Sequence, residues 1–132
     1  MSRAAVTGVL LMLLPGAAGA ADIAAGKAVF QRCLICHTIK AGAGSKVGPD
    51  LHGIFGRKAG SAEGYSYSKD MKEAGEKGLV WSEDTVFQYL ADPAAFLRKY
   101  LNKTSVANKM VNKFPKKDFR EDVIAYLKKA TE

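Results

Sequence analysis

Cys33-Leu34-Ile35-Cys36-His37 sets two thiols three positions apart, with an imidazole directly after the second. Two cysteines one helical turn apart can each form a thioether to one vinyl group of the same porphyrin, and the next residue then lies beneath the iron; this is the sequence form of a c-type haem attachment site. In this reading His37 is the proximal ligand, with an imidazole nitrogen on iron. Three other chemistries use similar residues. Zinc needs four ligands, and the chain offers only Cys33, Cys36, His37 and His52, without a second His at finger spacing. A thioredoxin-like dithiol would follow a strand, whereas the residues before Cys33 read as helix. A plain structural disulfide would use the cysteines and leave His37 without a role.

The elements that must position these groups follow in chain order. Residues 1–21 carry one Arg, a short apolar run from Val9 to Leu14, and small residues at Ala18-Gly19-Ala20. That is the form of a secretory signal peptide cleaved after Ala20 or Ala21, the other reading being an uncleaved amino-terminal anchor; the run is short for a bilayer span. Residues 22–132 are then one domain. Asp22 is an N-cap, and Ile23, Gly26, Phe30 and Cys33 recur on one helical face. Mid-helix, Gly26 marks either a close backbone approach or a tolerated surface position.

Thr38 to Gly48 is a loop by composition. Gly48 to Lys58 mixes turn-formers with bulky apolar groups and reads as an ordered loop with Leu51, Ile54 and Phe55 turned inward. His52 within it is expected to be a surface or hydrogen-bonding residue rather than an iron ligand. A short helix is expected from Lys69, ended by Gly75 and Gly78. Ser82-Glu83-Asp84 starts another, with Val86, Phe87 and Leu90 as its buried stripe. Pro93 stops it or opens a new helix at Asp92, carrying Phe96, Leu97, Tyr100 and Leu101. A final helix is expected from Asp118, with Glu121 completing a capping box and Phe119, Val123, Tyr126 and Leu127 inside. No strand alternation occurs. The domain is all-α, with loops too long for so small a core unless a large apolar group fills its middle.

From Asp22 to Glu132 the chain resembles class I cytochromes c, especially the bacterial cytochrome c2 and mitochondrial cytochrome c group. Four stretches carry the resemblance: Cys33 to Thr38, Gly48 to Lys58, Val80 to Thr85, and Ile124 to Lys129. It implies the cytochrome c fold around one covalently attached haem c. It implies further that Gly26 and Phe30 meet the last helix near Val123 and Tyr126, and that the Pro49 carbonyl accepts a hydrogen bond from the proximal imidazole. Arg57, Tyr67 and Trp81 match residues that hold the haem propionates, and Tyr89 matches the tyrosine beside the distal Met. Beyond the first 21 residues the chain has two methionines. Met71, in the helix after Tyr67, suits apolar packing. Met110 lies in a loop shortly before the final helix, as the family's sulfur ligand does, and Asn108-Lys109-Met110 resembles the family's Thr-Lys-Met. The segment from Phe96 to Lys109 is longer than in the mitochondrial proteins, and no aromatic stands two places after the Met, although Phe114 follows.

Charge is divided unevenly. Residues 22–97 hold nine Lys or Arg against nine Asp or Glu, whereas residues 98–132 hold ten against four. Arg98 to Lys117 contains Arg98, Lys99, Lys103, Lys109, Lys113, Lys116 and Lys117 and no acid. A basic field around Met110 would steer the protein toward acidic redox partners. The expected function is that of an exported, periplasmic, monomeric electron carrier with no catalytic residues, no stable membrane insertion and no nucleic-acid partner. The resemblance implies donors such as a cytochrome bc complex or a dehydrogenase, and acceptors such as a terminal oxidase or a photosynthetic reaction centre. An enzyme would require Met110 to be off the iron, leaving an open site.

Overall fold

In the computed structural model, which describes residues 19–132, the chain forms five α-helices and one 3-10 turn: α1 Ile23–Phe30, the turn Cys33–Ile35, α2 Lys69–Glu76, α3 Glu83–Ala91, α4 Pro93–Leu101 and α5 Lys117–Ala130. The apolar run of the expected leader lies outside the described residues. The only β pairing among the described residues is an isolated bridge between Lys58 and Val80. The all-α expectation holds.

Helix α1 starts where Asp22 Oδ1 accepts the N–H groups of Ala24 and Ala25 at 2.9 and 3.0 Å. It then crosses α5. Gly26 lies so near that a Cβ there would stand 2.0 Å from the Asp122 carbonyl oxygen. Close packing is therefore the reason for this glycine. One turn on, Phe30 is buried and its ring meets Tyr126 at a centroid distance of 5.3 Å. Both contacts match the expected pairing with the last helix, and they fix the direction in which the chain enters Cys33.

Ser82 and Thr85 form a reciprocal capping box at the start of α3. Asp92 ends α3 and caps α4, with Pro93 in the first turn. Two expectations need correction. Gly75 does not end α2; it lies inside the helix, where a Cβ would stand 2.0 Å from the Ala59 carbonyl oxygen, and the left-handed Gly78 (φ 97°) turns the chain instead. Helix α5 begins one residue before Asp118, with Lys116 as a cap that makes no side-chain bond. Glu121 accordingly does not complete a capping box; its carboxylate pairs with Lys117 at 3.2 Å.

The two long connections are tied down rather than free. Residues 56–59 bond to the segment entering α3, through Gly56 N–H to Trp81 O at 2.7 Å and Ala59 N–H to Leu79 O at 2.9 Å. The loop between α4 and α5 starts at left-handed Asn102 (φ 53°) and is held at its far end by Phe114 N–H on Leu90 O, 2.9 Å. Arg120, stacked over the Phe87 ring, also donates to the carbonyls of Phe114 and Pro115, each at 2.7 Å. Inside, Phe30, Ile54, Met71, Trp81, Leu90, Val123 and Leu127 form one core.

Gly26→Ala should force α1 off α5, costing about 1–3 kcal/mol as overpacking of a tight contact. The measurement is the guanidinium chloride midpoint of the holoprotein, which should fall with little change in slope.

Candidate functional site

The turn after α1 presents the two sulfurs and the imidazole together. His37 N–H bonds back to Cys33 O at 2.8 Å, closing the turn. The His37 ring Nδ1 lies 2.7 Å from Pro49 O. A carbonyl can only accept, so Nδ1 carries the proton and the Nε2 lone pair is left for a metal. Burial holds the His37 pKa below its ordinary value, which keeps the ring neutral and suited to ligation. Gly48 gives the ring its place, because a Cβ there would stand 2.5 Å from His37 Cε1.

Burial pushes the Cys33 thiol up to about 11. A thiol–disulfide catalyst needs the opposite shift, and the element before Cys33 is helix α1 rather than a strand. Among the described residues, no three His, Cys, Asp or Glu side chains gather as a metal group. The dithiol and zinc readings thus lack their structural requirements.

Three adjoining cavities run through the centre, of about 170, 80 and 70 Å³, and His37 and Met110 bound all three. The first takes in Cys33, Cys36, Gly48 and Pro49. The second is polar at one end, with Arg57, Tyr65, Tyr67, Ser68 and Asn108. Phe30, Leu51, Ile54, Val86, Leu90, Val123 and Leu127 give the third an apolar wall. Thiols on one side, an apolar slot and a polar end form a graded lining. It fits a flat ligand with an apolar body and an anionic edge, as haem is. All nine expected site residues border these cavities: Cys33, Cys36, His37, Pro49, Arg57, Tyr67, Trp81, Tyr89 and Met110.

The match to the family model for cytochrome c extends from residue 23 to residue 131. The chain belongs to the cytochrome c family. It is 44% identical over 113 residues to cytochrome c2 iso-2 of Rhodospirillum centenum, covering 81% of this chain and 93% of that one. It is 43% identical over 133 residues to a cytochrome c2 of Rhodopseudomonas palustris, covering 96% of this chain and 91% of the relative. The solved cytochrome c2 structure from Rhodospirillum centenum superposes with a TM-score of 0.77 at 44% identity, over 84% of this chain and 99% of that chain. This cytochrome is thus of the class I, c2 kind, with one covalently attached haem c and a role in electron transport; its two cysteines fit the haem attachment site.

Several of these side chains are held by contacts within the protein. The Arg57 guanidinium donates to the carbonyls of Asp50 and His52, at 2.6 and 3.2 Å, which fixes it at the cavity wall. Tyr67 OH accepts the Ala62 N–H at 3.3 Å. Trp81 packs its ring edge-on to Tyr89, 5.0 Å between centroids. Tyr89, its pKa raised by burial, donates to Asn108 Oδ1 at 3.3 Å, while Asn108 Nδ2 donates to Met110 O at 2.6 Å. Asn108 therefore performs a tethering task that its place before Met110 did not reveal. Phe114 borders the cavity and stacks on Phe119, 4.8 Å between centroids. Met71 is buried in the wall, as expected. His52 borders none of the three cavities, and its ring Nδ1 is buried without a partner.

Gly48 and Tyr65 were not singled out from the sequence. Tyr65 sits edge-on to Tyr67 at 4.7 Å, donates to Val47 O at 3.1 Å and lies under Lys109. The available signal was the two-residue spacing of the tyrosines, which puts both on one side of an extended segment. For Gly48 the sequence carried none, since its contact partner is a ring eleven positions earlier by count of the chain numbering.

Gly48→Ala should displace the His37 ring and break its bond to Pro49 O. Covalent haem per chain, read from the pyridine haemochrome absorbance, should fall severalfold, and the remaining holoprotein should lose about 1–3 kcal/mol of stability.

Proposed function

We propose that this cytochrome is a soluble, monomeric electron shuttle exported to the periplasm after cleavage behind Ala20 or Ala21, with iron held axially by His37 and Met110. The observation that carries the reading is that these two side chains, from loops far apart in sequence, together bound every one of the three central cavities. Haem supplies a metal that gains or loses one electron in place. The chain's own residues do the remainder. The apolar wall excludes water, the Pro49 carbonyl orients His37, and Arg57, Tyr67 and Trp81 would hold the propionates. Tyr89 and Asn108 steady the segment bearing Met110. A thioether ligand favours reduced iron and raises the potential. With His37 and Met110 both holding the iron there would be no site for substrate, which supports a carrier rather than an enzyme.

The basic field supports short-lived docking on acidic partners: a cytochrome bc complex or dehydrogenase as donor, a terminal oxidase or photosynthetic reaction centre as acceptor. Its composition differs from the run Arg98 to Lys117. Lys103, Lys113 and Lys117 are paired with Asp70 and Glu73, with Asp92, and with Glu121. Arg32, just after α1, joins Lys109 and Lys116 along the cavities beside Cys33 and Phe114. Exposed Val47 and Val111, which border the same cavity, supply an apolar centre. A small apolar contact within a positive rim suits fast association and fast release. Among the described residues no helix is long and apolar enough to cross a membrane.

The test of ligation is the absorption spectrum of ferric holoprotein. A weak near-infrared band from sulfur on iron should be present in the wild type and vanish in Met110→Ala; attached haem without that band in the wild type would move an open-site role ahead. For docking, Arg32→Glu with Lys116→Glu should slow electron transfer with an acidic redox protein about tenfold at low salt and much less at high salt. Lys129→Glu should leave the rate unchanged.

A further inference from the structure

Asp70 is buried to 1% exposure and yet borders none of the three central cavities. Both its oxygens are engaged by one loop. Lys103 Nζ donates to Oδ1 at 2.7 Å, and the Ala107 N–H donates to Oδ2 at 2.6 Å. Lys103 also bonds Glu73 on the next turn of α2. A buried carboxylate without partners is strongly disfavoured, so the loop that satisfies this one is held by charge-assisted bonds. The anchor itself is part of a packed helix. Asp70 lies in the first turn of α2, behind the Ser68 cap, and α2 is seated on Ala59 through Gly75 and on α4.

The tethered segment is the one that carries Met110. From Lys103 to Met110 the backbone has no helix of its own. Ala107 is followed directly by Asn108, whose side chain holds Met110 O and accepts from Tyr89. The far end of the loop is fixed separately by Leu90 and Arg120. Asp70 is thus the fixed point for the near half of the loop, reaching it through Ala107 and Lys103.

We propose that Asp70, bridged by Lys103, is a positioning residue for the distal iron ligand: it holds the loop so that the Met110 sulfur resists displacement by an external base. The proposal rests on the ligation of iron by Met110. Among the described residues α2 contacts α4 and no other helix, so loss of the Asp70 bonds should free the distal side and leave haem attachment intact.

The test is a titration of ferric holoprotein with imidazole, following loss of the near-infrared sulfur band, in wild type, Lys103→Met, Lys103→Arg, Asp70→Asn and Asp70→Ala. Imidazole should bind about tenfold more tightly in Lys103→Met. Asp70→Ala should exceed it, Asp70→Asn should fall between, since an amide oxygen still accepts from Ala107, and Lys103→Arg should restore most of the resistance. Covalent haem per chain should not change. Folded variants whose imidazole affinity stays within about twofold of wild type would overturn the proposal, whatever their denaturation midpoints. If the Asp70 variants do not fold, Lys103→Met, at a partly exposed position, decides alone. A wild type without the sulfur band refutes the ligation reading and this inference with it; a band present but equally resistant in every variant refutes this inference only.

Discussion

The crossing of α1 and α5 at Gly26 is the contact on which the site depends. A backbone-to-backbone approach is possible there only because no side chain intervenes, and it leaves Phe30 buried against Tyr126. Cys33 follows α1 within one turn, so the angle of the crossing fixes where both thiols and His37 emerge. Val123 and Leu127, on the facing side of α5, then become part of the apolar wall next to Cys33. One close packing event therefore sets both the attachment turn and the surface opposite it.

The rest of the site is held by bonds to irregular backbone. Such segments cannot satisfy their own polar groups, so each is fastened to a helix or to a neighbouring strand-like segment. The proximal loop is tied through His37 to Pro49 and through Gly48 N–H to Cys36 O. The distal loop is tied to α2 by Asp70 and to α3 and α5 by Leu90 and Arg120.

Charge follows the same logic of tertiary placement. Seven cations in one run read as a single basic field, yet three of them face carboxylates on other turns or helices. Arg32, from the other end of the chain, lines the same region as Lys113 and Lys116. Linear proximity is a poor guide here because a lysine's reach is comparable to the distance between neighbouring helices.

The sequence by itself determined the chemistry and the order of elements. Covalent spacing fixes what Cys33, Cys36 and His37 can do, and local propensity fixes the caps at Asp22, Ser82 and Asp92, since these depend on residues only a few positions apart. The family resemblance pointed to Pro49, Arg57, Tyr67, Trp81, Tyr89 and Met110, all of which border the central cavities. Tertiary structure alone decided why Gly48 and Gly75 are glycines, where α5 begins, what Asn108 holds, and that Asp70 reaches Ala107 across the fold. Gly48, Gly75 and Asp70 each answer to a group remote in sequence. Such a contact leaves no periodicity or spacing to read, because its energy exists only once both partners have been brought together by the core.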